Sequence, residues 1–143
     1  MPRLIVLMGA PGSGKSTHAK TLAGSVVTTD GGRERGQSAG ETLHSAYKQI
    51  NQMLAAGKDV VFDTTGANPH VRKAAASIAK KHGAQLSACV MDTPVQACLD
   101  AQKSRQKPVA AEDVRRIHDS VQRQMGGLRK EGFQSVDVVK GRK

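Results

Sequence analysis

The feature that most limits what this chain can become is the stretch Leu4-Ile5-Val6-Leu7-Met8-Gly9-Ala10-Pro11-Gly12-Ser13-Gly14-Lys15-Ser16-Thr17. An unbroken apolar run without polar alternation reads as a strand buried on both faces. The run stops at a glycine-rich turn and passes into helix-forming sequence. From Gly9 to Ser16 the spacing is G-x-x-x-x-G-K-S/T, the pattern of a phosphate cradle. Gly12 and Gly14 permit the backbone turns and close approach that side chains would block, so consecutive N–H groups, Ser13 among them, converge on phosphate oxygens. The following helix, entered through Thr17, adds unpaired N–H groups and a positive dipole end. Lys15 has the reach for β- and γ-phosphates, and the Ser16 hydroxyl suits one position on a magnesium ion.

The rest of the chain alternates strands and helices. Ser16 to Ala23 is predicted as a first helix stopped by Gly24, and Ser25-Val26-Val27-Thr28 as a short β-branched strand. Asp30 lies just beyond that strand, at the edge of an open parallel sheet where ligands bind, and Arg33 follows on the same polar loop. A helix from about Ala39 to Ala56 carries Leu43, Tyr47, Ile50 and Leu54 on one stripe. Asp59-Val60-Val61-Phe62 is another buried strand, with Asp63-Thr64-Thr65 at its exit. Asn68-Pro69 opens a helix with Val71, Ala74, Ala75 and Ile78 inward, ending at Gly83. Leu86 to Met91 is a further strand, and Thr93-Pro94 opens a helix through Val95, Cys98 and Leu99.

The polar, basic segment from Gln102 to Val109 is too charged for core and reads as a lid, at about 102–110. A long helix from about Ala111 to Leu128, weakened at Gly126-Gly127, precedes an edge strand, Val136 to Val139. Five strands alternating with helices imply right-handed crossovers and a parallel sheet covered on both faces. The expectation is a three-layer α/β/α P-loop NTPase fold with a basic lid, one domain over residues 1–143.

The N-terminus runs straight into the first strand, and no apolar run approaches the roughly 20 residues of a membrane span. A cytoplasmic protein without a membrane partner is expected. Cys89 and Cys98 lack C-x-x-C spacing and read as small hydrophobes. The 22 Lys and Arg residues against 12 Asp and Glu give a formal charge of +10. Six of those charges fall between Ala101 and Lys143. Such a surface attracts polyanions.

Phosphoryl transfer needs the donor phosphates held, the metal placed, the acceptor hydroxyl aligned and the growing charge neutralised. Residues Gly12 to Thr17 serve ATP and Mg2+. Asp30 is the candidate base for the acceptor hydroxyl, and Arg33 suits a bidentate grip on a neighbouring acceptor phosphate. Asp63 has two candidate roles, holding a metal-bound water or orienting Arg33, and Thr64 and Thr65 offer hydroxyls to the acceptor. Arg105 in the lid suits the transferring phosphoryl group, with Lys103, Lys107 and Arg115 as lesser candidates.

Taken together, the Gly9–Thr17 loop, Asp30-x-x-Arg33, Asp63-Thr64-Thr65 followed by Asn68-Pro69, and Lys103-Ser104-Arg105 ahead of the last helix resemble the kinase domain of bacteriophage polynucleotide 5′-hydroxyl kinase. The resemblance covers essentially the whole chain and implies ATP-dependent phosphorylation of 5′-OH ends of DNA or RNA. It also implies that Asp30 is the general base, that Arg33 contacts the acceptor phosphate and that Arg105 stabilises the donor phosphates. The chain departs from the pattern at Ala101, where a second lid arginine is expected, and at Gly31, where an acid often follows the base. The resemblance does not extend to the phosphatase domain frequently fused to such kinases, which leaves open whether a separate phosphatase or ligase is a partner.

Two other functions fit parts of the pattern. Small-molecule P-loop kinases acting on sugars, shikimate, antibiotics or nucleotide-sugars share the strand, the loop and the basic lid. A nucleotide-dependent switch shares the loop but has no use for an acceptor base such as Asp30. Tyr47, Phe62 and Phe133 are the only aromatics, so a stacking platform for bases is nearly missing and acceptor recognition would lean on phosphates.

Overall fold

The computed structural model describes residues 2–22, 24–29, 38–106 and 108–141. Its centre is the strand Arg3–Met8 (β1), whose apolar run is sandwiched between two parallel neighbours. Val60–Asp63 (β3) pairs on one side, Leu7 facing Asp63, and Gln85–Asp92 (β4) on the other, Leu7 facing Cys89. Ser25–Thr28 (β2) and Ser135–Lys140 (β5) complete an all-parallel sheet of order β2-β3-β1-β4-β5. This is the five-stranded parallel sheet with helices on both faces expected from the alternation, with the Val136–Val139 segment on an edge.

Side-chain alternation sends Leu4, Val6 and Met8 to one face of the sheet with Val27, Phe62 and Val90, and Ile5 and Leu7 to the other with Val61, Cys89 and Met91. The first face is covered by Ala39–Ala55 (α2) and Pro69–Lys81 (α3) through Ile50, Leu54, Ala75 and Ala79, and by Leu128 and Phe133 further on. The second is covered by Ala19 of the short helix Lys15–Ala19 (α1) and by Leu22. Val95–Gln102 (α4) and Ala111–Gln124 (α5) bring Cys98 and Val114 against Ala10 of the glycine-rich loop. Burial raises the Cys89 thiol above its ordinary pKa, as expected of a small core hydrophobe.

Local chemistry sets the boundaries. Ser38 and Glu41 form a reciprocal capping box at the start of α2, and Asn68 accepts the His70 N–H ahead of Pro69 at the start of α3. Three helices differ from expectation. α1 ends at Ala19 instead of Ala23, because the Thr21 hydroxyl and N–H both turn back to the His18 carbonyl, at 2.7 and 2.9 Å. α5 ends at Gln124, and the chain tightens into a 3₁₀ helix, Met125–Glu131, through Gly126-Gly127. On α3 the buried line is Val71, Arg72, Ala75 and Ala79, so a charged residue takes a core position and Ala74 and Ile78 are only partly covered. Among the described residues no helix is long and apolar enough to cross a membrane.

Candidate active site

β1 delivers the chain to the glycine-rich loop at the C-terminal edge of the sheet. Gly9 donates its N–H to Thr65 O at 3.1 Å, and the loop then turns through Gly12 at φ 85° and Gly14 at φ 96°. A Cβ on Gly9 would lie 2.6 Å from Ser13 Oγ, and one on Gly12 would lie 2.5 Å from the Cys98 carbonyl and 2.9 Å from Gln102 Nε2. The loop therefore has no room for a side chain at Gly12, where it lies against α4. Thr93, 1% exposed, braces it further by donating its hydroxyl to the Ser13 carbonyl at 2.7 Å.

Asp63, the last residue of β3, lies beside this loop because β3 neighbours β1 in register. Ser16 Oγ donates to Asp63 Oδ2 at 3.3 Å, and Lys15 Nζ stands 3.9 Å from Oδ1. Lys15 and Asp63 are both buried, so each charge offsets the desolvation cost of the other. The Ser16 and Asp63 oxygens are hard donors. Magnesium takes such oxygens, needing few protein ligands beside water and phosphate. The glycine turn beside these oxygens, with positive φ at Gly12 and Gly14, fits a magnesium-bound nucleotide triphosphate.

Thr64 is buried and its N–H bonds Leu7 O at 3.1 Å, whereas Thr65 is half-buried and holds Gly9 through its carbonyl. Behind them stands a brace absent from the sequence expectations. Arg72 Nη1 donates to Gly66 O at 2.6 Å, and its Nε and Nη2 form a fork to Glu131 at 2.8 and 3.0 Å. Gln124 Nε2 donates to Ala67 O at 3.0 Å. The signal that could have found this was an arginine one step off the apolar stripe of α3.

Asp30 and Arg33 lie outside the described residues. The chain approaches them through Thr29, whose N–H donates to Asp63 O at 3.3 Å. Arg105 stands in the turn after α4, where its N–H bonds Gln102 O at 3.1 Å. Its side chain is exposed and, among the described residues, has no ion-pair partner, so it is not brought to Lys15 and Asp63 here. Gln102, 5% exposed, closes the base of the lid by accepting the Val109 N–H at 3.0 Å. Ala101 packs against Gly12, and Lys103 pairs with Asp100 at 3.2 Å. Lys107 lies outside the described residues, and Arg115 is exposed on α5.

On the far side of the loop, beyond the ends of β4 and β5, opens a cleft of about 630 Å³ lined by Asp92, Thr93, Pro94, His118, Gln122 and Lys140. Asp92 is held below the ordinary carboxylate range, first by its bond from Lys140 at 2.8 Å and then by that from Gln122 at 3.0 Å.

Residues 4–127 match the profile of the AAA domain family. No protein of curated function matches the sequence. The fold is similar to that of a protein named as a kinase from Chloroflexus aurantiacus J-10-fl, with TM-score 0.75 and 15% identity over 97% of this chain and 85% of that one. It is similar to a chain of the Pnkp1/Rnl/Hen1 RNA repair complex, with TM-score 0.75 and 20% identity over 87% of this chain, which spans 45% of that one. It also resembles a gluconokinase from Sinorhizobium meliloti 1021, with TM-score 0.67 and 16% identity over 99% of this chain and 84% of that one. With the family match running from the first buried strand into the 3₁₀ helix and enclosing the loop and the Ser16–Asp63 contact, the chain belongs to the AAA domain family and has its P-loop kinase-like fold.

Proposed function

We propose that the protein phosphorylates 5′-hydroxyl ends of DNA or RNA with ATP. The observation that carries phosphoryl transfer is the meeting of Lys15, Ser16 and Asp63 beside a glycine turn closed to a side chain at Gly12. The polynucleotide acceptor is supported by the motif resemblance, by the formal charge of +10 and by the likeness to a chain of an RNA repair complex.

Bound ATP would supply the transferring phosphoryl group, and a magnesium ion held at Ser16 and Asp63 would offset its charge. Lys15 and the loop N–H groups hold the donor phosphates. Ser16 and Asp63 hold the metal side of the site. Asp30 takes the proton of the 5′-hydroxyl as its oxygen bonds the γ-phosphorus and the bond to the ADP oxygen breaks. Arg33 grips the phosphate on the 3′ side of the same nucleotide, and Arg105 closes with the lid over the donor phosphates. The cleft beyond Ser13 offers room for the nucleoside of ATP.

A small-molecule acceptor is the second reading, favoured by the likeness to a gluconokinase over nearly the whole chain. The deciding experiment is transfer of labelled γ-phosphate to a 5′-OH oligonucleotide, a 5′-phosphorylated control and a panel of nucleosides and sugars. Label on the 5′-OH strand alone is expected, and lost on Asp30→Ala with ATP binding retained. Label on a sugar or nucleoside alone would overturn the polynucleotide reading.

A further inference from the structure

Along α3, on the flank beside the 3₁₀ helix, runs a concave strip of about 460 Å³ lined by Pro69, Lys73, Ala76, Ser77, Lys80 and Glu131. Seven residues of helix separate Lys73 from Lys80, which puts them on one line two turns, or about 10 Å, apart. Both are exposed, Ala76 between them keeps the floor low, and Ser77 adds a hydroxyl. No acidic residue occurs in α3 from Pro69 to Lys81. The acid in the lining, Glu131, already faces the buried Arg72 guanidinium through two bonds of 2.8 and 3.0 Å. Its charge is thus largely offset, and the lysines set the potential of the strip. Arg129 and Lys130, exposed on the same 3₁₀ helix, add to it.

The strip starts at Pro69, directly after the Asp63–Asn68 loop, and follows α3 away from the site. We infer that it holds the phosphodiester backbone of an acceptor single strand, at nucleotides beyond the one being phosphorylated. The inference rests on the polynucleotide reading and gives it a track, on α3 and not only on the basic last third of the chain. Two cations two turns apart neutralise phosphates on different nucleotides and release counterions, while no aromatic lines the strip to stack on bases. Binding there is therefore independent of sequence and steeply dependent on salt. A sugar-sized acceptor has no atoms that extend so far.

The test is fluorescence anisotropy of a labelled 5′-OH strand of roughly 20 nucleotides, longer than common single-strand site sizes, titrated at several salt concentrations. Wild-type protein is compared with Lys73→Gln/Lys80→Gln, whose exposed positions leave the fold intact. The slope of log affinity against log salt is expected to fall in magnitude by about 1.4, about 0.7 for each lost phosphate contact, with affinity at low salt down about tenfold. Equal slopes for the two proteins overturn the strip. Phosphate transfer by the wild type to the strand and to a nucleoside 3′-phosphate is measured alongside. No transfer to the strand overturns the polynucleotide reading, whereas transfer to the strand with equal slopes overturns the strip alone.

Discussion

The Ser16 hydroxyl donates to Asp63 Oδ2 across 3.3 Å, joining the first turn of α1 to the last residue of β3. The contact exists because β3 lies beside β1 and Asp63 pairs in register with Leu7, one residue before β1 ends. It puts a carboxylate next to the hydroxyl that the loop pattern assigns to magnesium. Asp63→Ala is expected to raise the magnesium concentration needed for half-maximal transfer by about 10- to 100-fold, with nucleotide binding in chelator little changed. A parallel loss of metal-free nucleotide binding would instead make Asp63 a support of the loop.

Gly12 and Gly57 both have positive φ, at 85° and 77°, yet their surroundings differ. A Cβ at Gly57 meets nothing within 4 Å, whereas one at Gly12 runs into the Cys98 carbonyl and Gln102. Gly57→Ala is expected to cost only the backbone strain of about 1 kcal/mol, read as a small fall in Tm, and to keep nucleotide binding. Gly12→Ala adds a collision with backbone, so it is expected to displace α4 from the loop and abolish nucleotide binding. Thermal shift with and without ATP separates the two.

Arg72 and Glu131 are an unequal pair, with 2% and 35% of their side chains exposed. Removing the exposed partner strands the buried charge. Glu131→Ala is expected to destabilise by about 2–4 kcal/mol, while Arg72→Met/Glu131→Ala, with no charge left inside, recovers part of that loss. Denaturant unfolding of the wild type, Arg72→Met, Glu131→Ala and the double variant checks the order, and a double variant as unstable as the sum of both singles would contradict it.

These cases show what was legible in the sequence. The loop was, because glycine, lysine and serine at fixed spacing report a local geometry that needs no tertiary partner. The parallel sheet was implied by the alternation, and Asp63 was placed at the right edge. Its bond to Ser16 was not legible, since it depends on which strand lies next to β1. Arg72 was missed because apolar periodicity has no place for an inward charge whose partner, Glu131, comes 59 residues later. The early end of α1 was missed because a single Thr21 hydroxyl, bonded to the His18 carbonyl, decides it.

Asp92 ends β4 and Lys140 ends β5, and their 2.8 Å contact ties the edge strand to the sheet beside the cleft. The bond from Lys140, then that from Gln122, lowers the Asp92 pKa in the folded state. A carboxyl with a depressed folded pKa contributes stability above its unfolded value, about pH 4, and loses that contribution as pH falls through the folded value. Lys140 is 86% exposed, so solvent screening holds the pair to about 1 kcal/mol or less. Lys140→Met is therefore expected to lower Tm by a few degrees at neutral pH, less in high salt, and to match the wild type once the solution is acidic enough to protonate Asp92. A Tm difference that stays constant from neutral to strongly acidic pH would mean that the variant acts through packing at the end of β5, not through the charge on Asp92.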